Sequence, residues 1–207
     1  MTNKHPARRT TRRKGPAPGA IPSTLWAAGP EPIRPDDSWP PRILARALLE
    51  YSRPGDRVLL IPHQLAADVL VGELDRAPVP ATDEPQVADS DLIIATTLAG
   101  HAEDIRPWMP AEVASSRLRP GGLLVVFTRC RHDSNGELHD LSGDVVTEAQ
   151  HNDLLYLQHL IAAPVHDGAI VATPTDPGDS DSPGEPADIV HTDVLVFLQP
   201  HDFTTAA

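Results

Sequence analysis

The 207-residue sequence predicts an α/β fold: an open, mostly parallel sheet with helices on both faces and an antiparallel C-terminal edge. Three observations carry this. Three short apolar runs, RVLLIP (57–62), DLIIAT (91–96) and LLVVFT (123–128), lack polar alternation, as strands buried on both faces do. Stretches with helical spacing separate them, and alternating strands and helices build parallel sheets. The last apolar runs are joined by turns instead of helices, which implies antiparallel pairing.

The elements follow in order. Residues 1–37 are rich in Pro, Gly and Arg and read as an extended or disordered basic leader. IPSTLW (21–26) is its only apolar island, with Trp26 placed to pin it to the body. SWPPRILARALLEYS then reads as a helix. Ser38 is the expected N-cap, the prolines suit a first turn, and Ile43, Leu44, Ala47, Leu48 and Tyr51 share one face. RPGD (53–56) turns the chain into RVLLIP. HQLAADVLVGELDRA is expected to be a helix with Leu65, Val69 and Leu74 inward. Residues 77–90 are Pro- and acid-rich and read as a loop before DLIIAT. AEVASSRL (111–118) is the next helix, and RPGG a turn into LLVVFT. The polar RHDSNGELHD is turn-rich, with Asn135-Gly136 as its strongest signal. DLSGDVVTEAQHN is a fourth helix. LLYLQHLIAA, AIVAT and DIVHTDVLVFLQ are the closing strands. Residues 174–188 read as a mobile loop and 200–207 as a tail, so the domain spans 38–199.

Composition narrows the function classes. The net charge is −12, which argues against a generally basic nucleic-acid binder. The charge is uneven: residues 1–14 hold six of the 17 basic residues and no acid, leaving 11 basic against 29 acidic residues, a formal −18. Arg8, Arg9, Arg12, Arg13 and Lys14 form an arm that reaches for phosphates or simply keeps the chain soluble. Cys130 is the lone cysteine, which excludes an internal disulfide and fits a reducing cytoplasm. No apolar run approaches the ~18 residues of a membrane span, and no signal-peptide core follows the basic start.

Four segments then carry a resemblance. LLEYSRPGDRVLL, LRPGGLLVVFTR, GELHDLSGDVV and HTDVLVF resemble, in that order, actinobacterial S-adenosylmethionine-dependent DNA methyltransferases of the N4/N6 type. In that family a helix and RPGD precede the first strand, and LRPGG precedes the fifth. A GELVDL-like segment opens the next helix, and HEDVLVF forms the closing strand. IPSTLW is similar to the family's N-terminal LP-x-x-x-W segment. The resemblance covers residues 21–25, 38–61, 118–163 and 191–197. It implies a Rossmann-like methyltransferase-type fold, S-adenosylmethionine as cofactor, and a nucleic-acid acceptor. It puts the cofactor against Ile61, Pro62 and His63, and the target near Thr96, Thr97 and Gly100.

The departures from the family lie at those positions. Its first strand ends in an Asp-Pro-x-Cys-Gly-x-Gly-like loop, whose glycines let the backbone approach the cofactor. Here Pro62-His63-Gln64-Leu65 stands there, no glycine occurs between Gly55 and Gly72, and Pro62 removes a backbone donor. The family's fourth strand ends in Ser/Asp-Pro-Pro-Tyr, whose ring stacks on the base. Here Thr97-Leu98-Ala99-Gly100 follows, without an aromatic, and base stacking is worth roughly 1–3 kcal/mol. Residues 62–90 have room for one helix, one loop and one crossover, so fewer strands than the full fold are expected. Asp83 or Glu84 would have to stand in for the acid that holds the cofactor's ribose. Three readings follow. The first is a shortened, degenerate member without catalytic activity that keeps a binding or regulatory role. The second is an active enzyme with an atypical cofactor loop. The third is a non-enzymatic module that binds a protein partner.

Other chemistry has weaker signals. His132, His139, His151, His159 and His166 fall in the C-terminal half without a compact metal-binding pair, so no metal is expected. His191-Thr192-Asp193 suggests a structural hydrogen bond. No G-x-S-x-G elbow supports a hydrolase, and Ser142 reads as a helix cap. Cys130, between Arg129 and Arg131, is expected to have a lowered pKa and to face the crevice.

Overall fold

The computed structural model describes residues 24–34, 37–80, 87–98, 109–132, 138–167, 169–170 and 191–201. Its elements are β1 (Leu25–Ala27), α1 (Pro41–Tyr51), β2 (Arg57–Ile61), α2 (Leu65–Glu73), β3 (Ala77–Val79), β4 (Ser90–Thr96), α3 (Met109–Arg117), β5 (Leu118–Thr128), β6 (Arg131–His132), β7 (Leu138–His139), α4 (Ser142–His151), β8 (Leu155–Ala163), β9 (Val165–His166), β10 (Ala169–Ile170) and β11 (Thr192–Leu198). The basic arm, the 174–188 loop and most of the tail lie outside the described residues.

Seven strands form the main sheet in the order β1-β8-β11-β5-β4-β2-β3. The pairs β1–β8, β2–β3, β2–β4 and β4–β5 are parallel. β11 runs antiparallel between β5 and β8, which gives the expected antiparallel C-terminal side. The hairpins β6–β7 and β9–β10 stand apart from the sheet.

The double-sided burial read from the apolar runs is present residue by residue. Val58, Leu60, Leu92, Ile94, Val125 and Phe127 point to one face, where α1 and α2 cover them. Leu59, Ile61, Ile93, Ala95, Leu124 and Val126 point to the other, under α3 and α4. Two cores therefore share one sheet, as period-2 alternation dictates. In α1, Ile43, Leu44, Ala47 and Leu48 are buried as their spacing predicts. Each large aliphatic side chain placed there contributes roughly 1.5–3 kcal/mol.

Several expectations change. Ser38 does not cap α1: the N-cap is Pro40, with Pro41 opening the helix. Pro41 fits because a first-turn N–H has no helical partner to lose. In α2 the inward residues are Ala67 and Val71, whereas Leu65 is 74% and Val69 53% exposed. LAADVLV is apolar almost all round, so its periodicity does not select a face. Residues 62–90 hold more than one crossover, because β3 pairs with β2 after α2. A three-residue strand containing Pro78 carries almost no sequence signal, and an edge strand tolerates proline. β1 is equally short and lies in what reads as leader. These two short strands bring the sheet to seven.

RPGG lies inside β5 and does not form a separate turn. Gly121 has φ +83, and a Cβ on Gly122 would come within 3.0 Å of the Asp91 carbonyl oxygen. Both positions therefore require glycine. They sit where β4 and β5 change register, between Ser90 and Leu92.

Candidate functional site

The parallel strands place their carboxyl ends on one side of the sheet, where ligands bind in open α/β folds. Ile61 on β2 pairs with Ala95 on β4, so Ile61, Pro62, Thr96 and Thr97 come together at that end. The resemblance placed these residues in one site, and they are neighbours.

Their environments differ from those of a cofactor loop. Ile61 is 8% exposed and belongs to the core beneath α3 and α4. The Ile61–Pro62 peptide is cis. His63 is exposed, and its Nε2 lies 2.6 Å from Oδ2 of Asp68 in the first turn of α2. Thr96 and Thr97 are buried. The Thr96 hydroxyl accepts a bond from Leu98 N at 3.1 Å. Thr97 donates its backbone N–H and its hydroxyl to the Phe127 carbonyl, at 2.9 and 3.3 Å. Leu98 is 2% exposed and packs in the same core as Trp39 and Phe127. Both threonine hydroxyls are thus spent on the chain itself, Thr96 on the turn after β4 and Thr97 on β5. Gly100, Asp83 and Glu84 lie outside the described residues.

These residues do not fit a bound S-adenosylmethionine in the way a glycine loop does. Pro62 has no N–H, and the His63 imidazole is turned onto Asp68.

A second feature left no mark in the sequence. A cavity of about 340 Å³ opens between the segment after β1 and the start of α1. Ala28, Ile33, Arg34, Asp37, Pro40 and Ile43 are among its lining residues. Trp39 beside it is 4% exposed and meets the Phe127 ring edge-on, with centroids 6.1 Å apart. Residues 28–37 read as leader because of their prolines, which hid the wall, and Trp39 falls in the segment read as the start of the first helix.

A charged cluster adjoins the ends of β5 and β8 and the start of β11. Asp193 is buried, with Oδ1 2.8 Å from His159 Nε2 and Oδ2 3.6 Å from His191 Nε2. The hydrogen bond expected within His191-Thr192-Asp193 is instead made by His159, while His191 stands 3.6 Å from Asp193 as an ion pair beyond hydrogen-bond length. Arg129 is buried and donates to the Thr192 hydroxyl at 3.0 Å. Burial lowers its pKa, against the pull of Asp37 and Asp193. Cys130 departs from expectation. Its pKa is raised, by burial first and then by Asp140 and Asp193, so the flanking arginines do not make it a thiolate. Ser142 opens α4 behind an N-cap at Leu141 and does not cap it, and Asp140 Oδ1 accepts the Ser142 N–H at 2.9 Å just before the helix. Among the described residues no group of three His, Cys, Asp or Glu side chains is placed to hold a metal. No helix among the described residues is long and apolar enough to cross a membrane.

The cluster sets a pH dependence. The facing Asp193 carboxylate raises the His191 pKa above its ordinary 6.5, outweighing burial. That stabilisation is complete below pH 6.5 and is lost as pH rises through the raised value. Burial alone would raise the Asp193 pKa, but the bonds and charges of His191 and His159 lower it below 3.8. Its contribution is present above pH 3.8 and is lost as pH falls through the lowered value. The melting temperature is therefore expected to be higher at about pH 5 than at about pH 8. Asp193→Asn should flatten that difference, as read by thermal melts in matched buffers.

No protein-family model matches the sequence, and no curated protein matches it. The fold is that of Rossmann-like methyltransferases. One similar solved structure is a candidate methyltransferase from Haloferax volcanii in complex with the Trm112 methyltransferase activator. It shares 13% identity at a TM-score of 0.50, over 75% of this chain and 88% of that chain. A candidate methyltransferase from Bacillus halodurans shares 9% identity at a TM-score of 0.49, over 76% of this chain and 99% of that one. A candidate DNA modification methylase from Thermus thermophilus shares 18% identity at 0.37, over 73% and 56%. At these identities the likeness speaks for the fold alone.

Proposed function

We propose that the protein is a degenerate member of the S-adenosylmethionine-dependent DNA N4/N6-type methyltransferases that lacks methyl transfer and keeps the fold for a binding or regulatory role. The observation that carries this is the rebuilt carboxyl end of β2 and β4. His63 is engaged by Asp68, and the Thr96 and Thr97 hydroxyls are used within the chain. The actinobacterial resemblance supplies the family, and the cytoplasm is its expected place. Arg8, Arg9, Arg12, Arg13 and Lys14 would supply sequence-blind phosphate contacts. A protein partner is equally in keeping with this reading, given that the Haloferax volcanii structure is a complex with an activator.

A second reading, an active enzyme with an atypical loop, draws on one observation. β3 lies beside β2, and Asp83 and Glu84 follow it closely in the chain. An acid there would be near the ribose of a cofactor held at Ile61, Pro62 and His63. The bound group would supply the transferable methyl.

Titration calorimetry with S-adenosylmethionine separates the two. The first reading expects no binding tighter than about 1 mM, about −4.1 kcal/mol. Micromolar binding together with methyl transfer to DNA would establish the second. In the same preparation, duplex DNA binding should fall with salt and vanish on deleting residues 1–14. Salt-insensitive binding, or none at low salt, would remove the arm's proposed role.

A further inference from the structure

Three separate parts of the chain meet on one buried carboxylate at the carboxyl rim. Asp193 is the second residue of β11, held between β5 and β8. His159 reaches it from β8, at 2.8 Å to Oδ1. His191 stands just before β11, with Nε2 3.6 Å from Oδ2. Arg129 follows β5 and donates to the hydroxyl of the adjoining Thr192 at 3.0 Å. Asp193 is 5% exposed, whereas the His191 side chain is 39% exposed. The acid is shut in, and the cation that faces its second oxygen has room to move.

The arrangement is under-satisfied. Among the described residues, Asp193 Oδ2 has no hydrogen-bond partner, and neither has the Thr128 hydroxyl, although both are out of contact with water. Thr128 lies directly opposite Asp193 on β5. A buried charged acceptor without a donor is costly, so the charge of its neighbours decides how firmly this end of the sheet holds. Asp37 acts on Arg129, and Asp193 acts on Asp140 and Cys130. Burial, then Asp140 and Asp193, raise the Cys130 pKa and keep its thiol uncharged. Among the described side chains, three carboxylates (Asp37, Asp140 and Asp193) therefore stand against the one guanidinium of Arg129. Two charged imidazoles complete the balance, and two neutral ones leave it two charges short.

We propose that this cluster is a proton-operated latch: with His191 charged it clamps the first residues of β11 between β5 and β8, and with His191 neutral those residues open locally while the rest of the strand stays paired. Imidazole is the side chain whose charge ordinarily changes between pH 5 and 8. A neutral His191 can carry its proton on Nδ1 and turn Nε2 away from Asp193. Asp193 stays ionised over that range: burial raises its pKa, but the bonds and charges of His191 and His159 lower it on balance. The facing carboxylate raises the His191 pKa against burial, so closure is complete below pH 6.5 and is lost as pH rises through the raised value. The residues that open stand at the end of the sheet where open α/β folds take ligands, so access to that rim changes with pH. The latch does not depend on whether a cofactor binds at Ile61, Pro62 and His63.

The test is amide exchange of the full chain at about pH 5 and about pH 8, expressed as protection factors so that the intrinsic change of rate with pH is removed. The amides of Thr192 and Asp193, with those of their sheet partners Ala162 and Thr128, are expected to lose at least about tenfold in protection at the higher pH. Those of Leu195–Phe197 report opening of the whole fold and are expected to lose less. The local loss should follow the titration of the His191 imidazole, read by NMR in the same samples. His191→Gln keeps a donor without the charge. It should show the local loss already at pH 5 and little further change at pH 8, with thermal melts checking that the fold survives. Protection at residues 192 and 193 that does not change with pH, or that falls equally along all of β11, would overturn the proposal. So would a transition that does not follow the His191 imidazole, or a folded His191→Gln chain with the parent's pH response.

Discussion

Phe127→Ala is expected to cost about 3–5 kcal/mol, among the largest effects of truncating a single described side chain. Phe127 is fully buried on β5, between Thr96 of β4 and Val194 of β11. Its ring also meets Trp39, which holds the segment before α1 against the sheet. Removing the ring leaves a cavity where the sheet and that segment join, and strands held on both sides have little freedom to close it. The bonds from Thr97 go to the Phe127 backbone and survive, so the loss reports packing alone. Domains of this kind have roughly 5–15 kcal/mol in total, so the loss removes about a quarter or more of the stability. Urea titration is the measurement. The midpoint should fall while the slope stays constant, and Phe127→Leu should recover more than half of the loss.

Asp89→Ala is expected to be the most severe change among the charged side chains of the sheet's amino end. Asp89 precedes β4 and accepts from Arg117 Nε at 3.0 Å and from its terminal nitrogen at 2.7 Å. Arg57 lies 3.6 Å away, and Ser90 donates its hydroxyl to the same carboxylate. Arg117 is buried, so losing the acceptor strands a guanidinium. Breaking a fully buried pair costs about 3–5 kcal/mol, and the partial exposure of Asp89 brings the expected loss to about 2–3. The Arg117 bond lowers the Asp89 pKa, with burial opposing it. The contribution of Asp89 is therefore present above pH 3.8 and lost as pH falls through the lowered value. The gap between parent and Asp89→Ala should be full at about pH 7 and shrink below about pH 3, as read by urea titration at both. A gap that stays constant with pH would show that the Asp89 side chain acts without its charge.

The large elements were legible because burial on both faces leaves a plain mark. RVLLIP, DLIIAT and LLVVFT became β2, β4 and β5, and PRILARALLEY became α1. What the sequence did not show has physical reasons. β1 and β3 have three residues each, too few for a pattern. The inward face of α2 is hidden by a segment apolar on every side. In the site, the resemblance put Ile61, Pro62, Thr96 and Thr97 in one place, and the pairing of β2 with β4 sets them side by side. The use of Thr97 as a fastener to Phe127 is a long-range contact that no local pattern encodes. The same holds for Cys130, whose neighbours in sequence are basic and whose neighbours in space include Asp140 and Asp193.

The glycine pair of RPGG, with its need for close backbone approach, stands at the amino end of β5, and RPGD precedes β2 at the same end. Two of the four phrases that carry the family resemblance thus lie at the amino ends of the parallel strands, whereas HTDVLVF begins beside the carboxyl end of β5. These two report how neighbouring strands are seated at their origin. The likeness they carry is one of architecture, set at the end of the sheet opposite the carboxyl rim of β2 and β4.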